Sequence, residues 1–282
     1  MTHKVLILGA NGMIGSAIYS QLRSSETVRT YGLVRRNISA FNKDPQIIVK
    51  KFESSVVLEG ILQNLMPTIV INCVGITKHS PEGENKLRVV KINSFFPNIV
   101  QALCLKYHSK FIQISTDCIF SGAKGLYTES DIPDSIDLYG KSKFLGEPDT
   151  QNSLVLRTST IGWEIETKRG LLEWFLSQHE CFGYDQAYFS GITTNEFAKI
   201  IKNNVLPKAH LTGIYNVGSI RINKYDLLCL VKKQLQVNIN IKRCSEIKLD
   251  RSLNSKKFQI DFDYTPLTWH EMIKYLHSLK IN

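Results

Sequence analysis

Lys4-Val5-Leu6-Ile7-Leu8-Gly9-Ala10-Asn11-Gly12-Met13-Ile14-Gly15 is the stretch on which the reading of the fold turns. Val5 to Leu8 is an apolar run of strand length that stops at a glycine. Past Met13 the period changes, and Ile14, Ile18 and Leu22 fall on one face of a helix. Between strand and helix the spacing is G-x-x-G-x-x-G. In such a unit Gly9 permits the tight turn, Gly12 lets a pyrophosphate approach the backbone, and Gly15 lets the helix pack against the strand. The unpaired N–H groups at the helix start then face the phosphates. Glycines mark many turns; the flanking strand and helix are what make Gly9, Asn11, Gly12, Met13, Ile14 and Gly15 candidate cofactor ligands.

The same alternation continues downstream. Residues 28–34 read as a second strand ending in Arg35 and Arg36, and residues 69–75 as a buried strand running into Cys73, Val74 and Gly75. Residues 85–108 have helical spacing, 110–115 form another strand, and 154–158 a later one. Continuous apolar strands alternating with helices predict an α/β chain of the Rossmann type, a doubly wound parallel sheet covered on both faces. In such sheets ligands bind beyond the carboxyl ends of the strands. An acidic residue after the second strand favours a free ribose hydroxyl, whereas arginine accommodates a 2′-phosphate. Arg35 and Arg36 therefore favour NADPH over NADH, unless they are plain surface arginines.

After Gly162 the alternation lapses. Residues 193–206 read as a helix returning to the sheet, 223–235 as a further helix and 268–279 as a closing one. The predicted division is a cofactor domain over 1–162, rejoined by 191–218, and a smaller non-contiguous C-terminal substrate domain, a cap from 163–190 and 219–282.

Composition narrows the classes. The 282 residues are 43% apolar and 21% charged, as in an ordinary globular protein. The formal net charge of +10 reads as a solvated basic surface or as attraction for polyanionic small molecules. Nucleic-acid binding ranks last, because no dense basic tract or basic-aromatic motif appears. No apolar run approaches the roughly 20 residues a bilayer crossing needs, and the N-terminal stretch does not resemble a secretory signal. A cytoplasmic protein is expected. The six cysteines are scattered without a Cys-x-x-Cys pair, which supports neither a metal site nor a disulfide framework.

Tyr139-Gly140-Lys141-Ser142-Lys143 contains Tyr-x-x-x-Lys. Residues four apart share a helical face, so phenol and ammonium can meet in one site. A nearby cation stabilises a phenolate and brings its pKa toward the working range. Upstream, Ser115-Thr116-Asp117 closes a strand. A hydroxyl there either holds a substrate carbonyl or caps the backbone.

Taken together, these motifs resemble the extended short-chain dehydrogenase/reductases, and within them the dTDP-4-dehydrorhamnose reductases. The matching pieces are the glycine turn, Ser115-Thr116-Asp117-Cys118-Ile119-Phe120-Ser121-Gly122, Tyr139 to Lys143 with Gly146-Glu147, and Leu156-Arg157-Thr158-Ser159. The resemblance covers most of the first 160 residues. It implies NADPH- or NADH-dependent reduction of the C4 ketone of a nucleotide-linked 4-keto-6-deoxysugar, in synthesis of surface polysaccharide precursors. Thr116, Tyr139 and Lys143 would be catalytic, with Tyr139 and Lys143 also at the cofactor. Cys73, Val74 and Gly75 would line the cofactor, and Asn93 would lie near the site. Ser115, Thr116, Asp117 and Cys118 would meet the substrate, and Arg251 would pair with its diphosphate. Arg157 reads as structural. Cys118 stands where the family usually has an aromatic residue, and Thr160 where it commonly has tryptophan, so the sugar is left open. A homodimer is compatible with the resemblance. Two other functions fit the same motifs: a sugar-nucleotide epimerase, and a regulatory subunit like that of methionine adenosyltransferase.

Overall fold

A computed structural model describes residues 3–52, 54–148 and 152–276. Its centre is a seven-stranded sheet. The strands are β1 (His3–Leu8), β2 (Val28–Val34), β3 (Ile47–Val49), β4 (Ile69–Asn72), β5 (Lys110–Thr116), β6 (Ser153–Thr158) and, at the far edge, Gly213–Asn216. They lie in the order β3-β2-β1-β4-β5-β6 and then the edge strand, and every pairing is parallel. This is the predicted doubly wound Rossmann-type sheet. Strand order reverses between β1 and β4, which opens the crevice where such sheets bind ligands.

Side-chain alternation divides the core. Val5, Ile7, Ile69, Ile71, Ile112 and Ile114 face α1 (Met13–Arg23) and the helix Thr194–Ile200. Leu6, Leu8, Val70 and Phe111 face the other way, with residues of α2 (Ser55–Leu65) and α4 (Phe96–Lys106). Both faces of β1 and β4 are buried, which explains their unbroken apolar runs.

The helix expected over 85–108 has a fault in it. α3 (Lys86–Val90) passes into a π-helical turn over Lys91–Phe95 before α4 begins. Pro97 has no N–H to give the Asn93 carbonyl, and the Phe96 N–H bonds instead to Lys91 O. Among the elements beyond the sequence reading are the short strand β3, α2 and the edge strand Gly213–Asn216. Leu58 and Leu62 of α2 are fully buried. The expected closing helix is present over Trp269–Leu276; residues 277–279 lie outside the described part.

Small sheets join the later segments. Ala187–Phe189 pairs with Ile222–Asn223 and Leu249–Asp250, and Glu180–Tyr184 pairs with Asn240–Cys244. Residues near the C-terminus also clasp the loop after β5. The Tyr127 N–H bonds to Ser252 O at 2.9 Å, Asn254 N–H to Tyr127 O at 2.7 Å, and Asp250 N–H to Gly122 O at 2.7 Å.

A Cβ at Gly15 would sit 2.2 Å from the carbonyl oxygen of Gly9. That neighbour is backbone and cannot swing aside. Gly15→Ala is therefore expected to destabilise the protein by about 1–3 kcal/mol, read as a lowered thermal unfolding midpoint.

Candidate active site

The glycine turn sits at the sheet's reversal. Gly9 has a φ of 75°, and its N–H bonds to Leu33 O of β2 at 3.0 Å. On its other side a Cβ would meet the Val74 backbone nitrogen at 3.3 Å. The turn is thus held between β2 and the Cys73-Val74-Gly75 loop after β4. Gly12 precedes α1, and no side chain caps that helix start, which leaves its first turn open to an anion. Gly75 faces Lys143 and Asn93: a Cβ there would lie 3.8 Å from Lys143 Nζ and 3.6 Å from Asn93 Oδ1. The crevice between these two loops has the bare backbone that a dinucleotide requires. Met13 and Ile14 open α1 beneath it. The Cys73 thiol is pushed up to about 12 by burial, so it lines the crevice as a neutral group.

Arg35 and Arg36 follow β2 at the outer end. Each faces a carboxylate: Arg35 lies 3.6 Å from Glu82 and Arg36 3.0 Å from Glu166. Asn11 donates to Glu166 at 2.7 Å. Neither acid was singled out in the sequence, because both come from other segments.

α5 (Leu138–Leu145) carries Tyr139 and Lys143 one turn apart, and Asp137 caps it by accepting from the Gly140 N–H at 2.8 Å. The helix lies tight against the end of β5, since a Cβ at Gly140 would fall 2.2 Å from Cys118 O. This brings Tyr139 beside Thr116. Burial raises the Tyr139 phenol above its ordinary value, so it holds its proton at neutral pH. Lys143 is buried and donates to Ile114 O at 2.8 Å. Burial lowers its ammonium to about 8. Asn93, on the π turn, locks the floor: it accepts from Ile76 N–H at 2.8 Å and donates to Ile76 O at 2.9 Å and to Ser142 Oγ at 3.1 Å.

Thr116 donates to Asp117 Oδ1 and accepts from the Cys118 N–H, each at 3.1 Å. Asp117 is buried, which raises its carboxyl, while Lys224 and Arg251 pull the other way. Arg251 reaches over the same loop, donating to Phe120 O at 2.9 Å with a terminal nitrogen 3.7 Å from Cys118 Sγ. Lys224 opens the helix Lys224–Leu235 and lies 3.6 Å over the Phe189 ring. It was invisible as a site residue in the sequence, where it reads as an ordinary first-turn lysine. A cavity of about 160 Å³ beside Tyr139 is lined by Ile76, Thr77, Lys78, Asp137 and Leu138.

Ser115 is the residue the structure places elsewhere. Neighbouring side chains on a strand point to opposite faces, so with Thr116 in the site Ser115 turns away and donates to Glu147 Oε1. Glu147 also takes the Arg157 guanidinium, at 2.7 Å to NH2 and 3.1 Å to Nε. Both charged side chains are only 2% exposed. This buried tie joins β5, β6 and the end of α5 beneath the site. Removing one partner strands a charge: Glu147→Ala is expected to cost about 3–5 kcal/mol, while replacing Glu147 and Arg157 together by Met costs less. Denaturant unfolding of the two variants beside the unaltered protein checks the order.

The model of the RmlD substrate binding domain family matches residues 3–180. Methionine adenosyltransferase 2 subunit beta of Danio rerio is 22% identical over 244 residues, covering 81% of this chain and 72% of that protein. A probable low-salt glycan biosynthesis reductase of Haloferax volcanii is 30% identical over 160 residues, 55% of this chain and 52% of that one. Among solved structures, dTDP-4-dehydrorhamnose reductase of Bacillus anthracis in complex with NADP superposes with a TM-score of 0.83, at 18% identity and 99% coverage of both chains.

Proposed function

The chain belongs to the RmlD substrate binding domain family, and from that premise we propose that it reduces the C4 ketone of a nucleotide-linked 4-keto-6-deoxysugar with NADPH, NADH serving as the alternative donor. The observation that carries this reading is that one helix sets Tyr139 beside Thr116 and, a turn later, Lys143 against Gly75 of the bare glycine crevice. The reductase names borne by the Haloferax and Bacillus proteins agree with it.

The turn from Gly9 to Gly15 and the Cys73-Val74-Gly75 loop would hold a nicotinamide dinucleotide, which would supply hydride when bound. The rest falls to this chain's own residues. Tyr139 offers its hydroxyl to the ketone oxygen, and Thr116, beside it at the end of β5, borders the same oxygen. Tyr139, kept protonated by burial, gives its proton to the oxygen as negative charge develops there. Lys143 is cationic below about pH 8 and steadies the phenolate that Tyr139 leaves behind. Asp117 and Cys118 border the sugar, and Arg251 and Lys224 face the diphosphate. The cap assigned to this task comprises 163–190 and 219–282, set on a cofactor domain of 1–162 and 191–218. Cys118 and Thr160 replace larger side chains common in the resembling reductases, which favours a bulkier sugar substituent, such as an N-acetyl group.

A second reading has its own support. The alignment with the methionine adenosyltransferase subunit covers 81% of this chain, and a nucleotide-binding regulatory subunit would use the same crevice. Mixing the protein with NADPH and a panel of dTDP-, UDP- and GDP-linked 4-keto-6-deoxysugars should consume the reduced cofactor with at least one of them. Tyr139→Phe should lower that turnover by about 10²–10⁴-fold; a regulatory function would survive the change. Redox-neutral conversion without net NADPH loss would mark an epimerase instead. Because Lys143 loses its proton as pH rises through about 8 while Tyr139 keeps its own, kcat/KM should hold level below that pH and fall above it.

A further inference from the structure

The end of β2 bears arginines where a dinucleotide fold that prefers NADH bears an acid. The structure supplies an acid from elsewhere. One oxygen of Glu166 lies 3.0 Å from an Arg36 terminal nitrogen, and the other accepts from the Asn11 amide at 2.7 Å. Asn11 belongs to the glycine turn and Arg36 to the end of β2, so a single carboxylate spans the gap between them. We propose that Glu166 is the selector between phosphorylated and unphosphorylated dinucleotides, occupying the place on Arg36 that a 2′-phosphate would take and offering an acceptor to a free 2′-hydroxyl. The inference rests on the dinucleotide reading of the crevice.

The carboxylate is set there by its loop. At one end the Trp163 indole donates to Leu276 O at 2.8 Å; within, Glu164 accepts from the Thr167 hydroxyl at 2.6 Å and the Arg169 N–H at 2.5 Å. At the other end Gly170 lies against Met13, 3.4 Å from a built Cβ to Sδ. The Glu166 side chain is 20% exposed and that of Arg36 73%, so the acid is the built-in member of the pair and the arginine the adaptable one. Arg35 is likewise turned toward an acid, Glu82. A phosphate monoester, carrying about −1.5 to −2 charges, competes with Glu166 for Arg36 and is repelled by its charge. A ribose hydroxyl meets no such repulsion and can donate to Glu166.

Titration calorimetry of the full chain with adenosine 2′,5′-bisphosphate and with 5′-AMP isolates the 2′-phosphate. Glu166→Gln is expected to raise the ratio of the two affinities, bisphosphate over monophosphate, by about three- to tenfold. In an Arg36→Gln background the same substitution is expected to move that ratio by less than about twofold. A ratio unmoved in the single variant, or moved equally without Arg36, overturns the role of Glu166 and leaves the crevice a nucleotide site. If the unaltered protein binds neither nucleotide, the dinucleotide reading falls and the proposal falls with it.

Discussion

Two neighbouring parallel strands, β1 and β4, lead to crossovers on opposite sides of the sheet, and nearly everything functional in this chain depends on the gap that results. No helix can cover the carboxyl ends of both strands, so the loops after them must face each other across open space. The loop after β1 is the glycine turn and the loop after β4 is Cys73-Val74-Gly75. β5, next in order, delivers Thr116 to the same edge, and α5 packs Tyr139 and Lys143 against it.

Convergence at this density needs close contact between main chains, and glycine provides it three times. A side chain at Gly15 would strike Gly9 O, at Gly140 Cys118 O, and at Gly146 the Asn93 carbonyl at 1.9 Å. The last contact lies at the π turn: the carbonyl that Pro97 cannot satisfy sits against the end of α5. Beneath these contacts the buried Glu147–Arg157 pair joins the strands and helix that bear the hydroxyls. Such a pair adds little net stability over an apolar core, but its loss leaves a charge stranded.

The parts legible in the sequence are those written in contiguous runs. The glycine turn, Thr116 before Asp117, and Tyr139 with Lys143 each declare their chemistry within a few residues and sit at strand or helix ends. Lys224, Glu166 and Glu82 are as near the crevice, but they enter it from distant segments, and only topology brings them there. Ser115 misled because its motif is real while strand alternation sends its hydroxyl to Glu147. The π turn was hidden for the opposite reason: Val89, Ile92 and Phe96 keep a helical rhythm straight through it.

The clasp between residues 250–254 and the loop from Gly122 to Tyr127 ties the maturation of the site to the order of synthesis. All seven strands of the sheet that forms the crevice have been made once about three quarters of the chain is synthesised. The Gly122–Tyr127 loop, by contrast, gains these backbone partners only when residues 250–254 have emerged. Contacts across so long a stretch of chain form slowly. A molecule clipped ahead of residue 250 would therefore keep the strands that frame the crevice and lack the backbone partners of this loop.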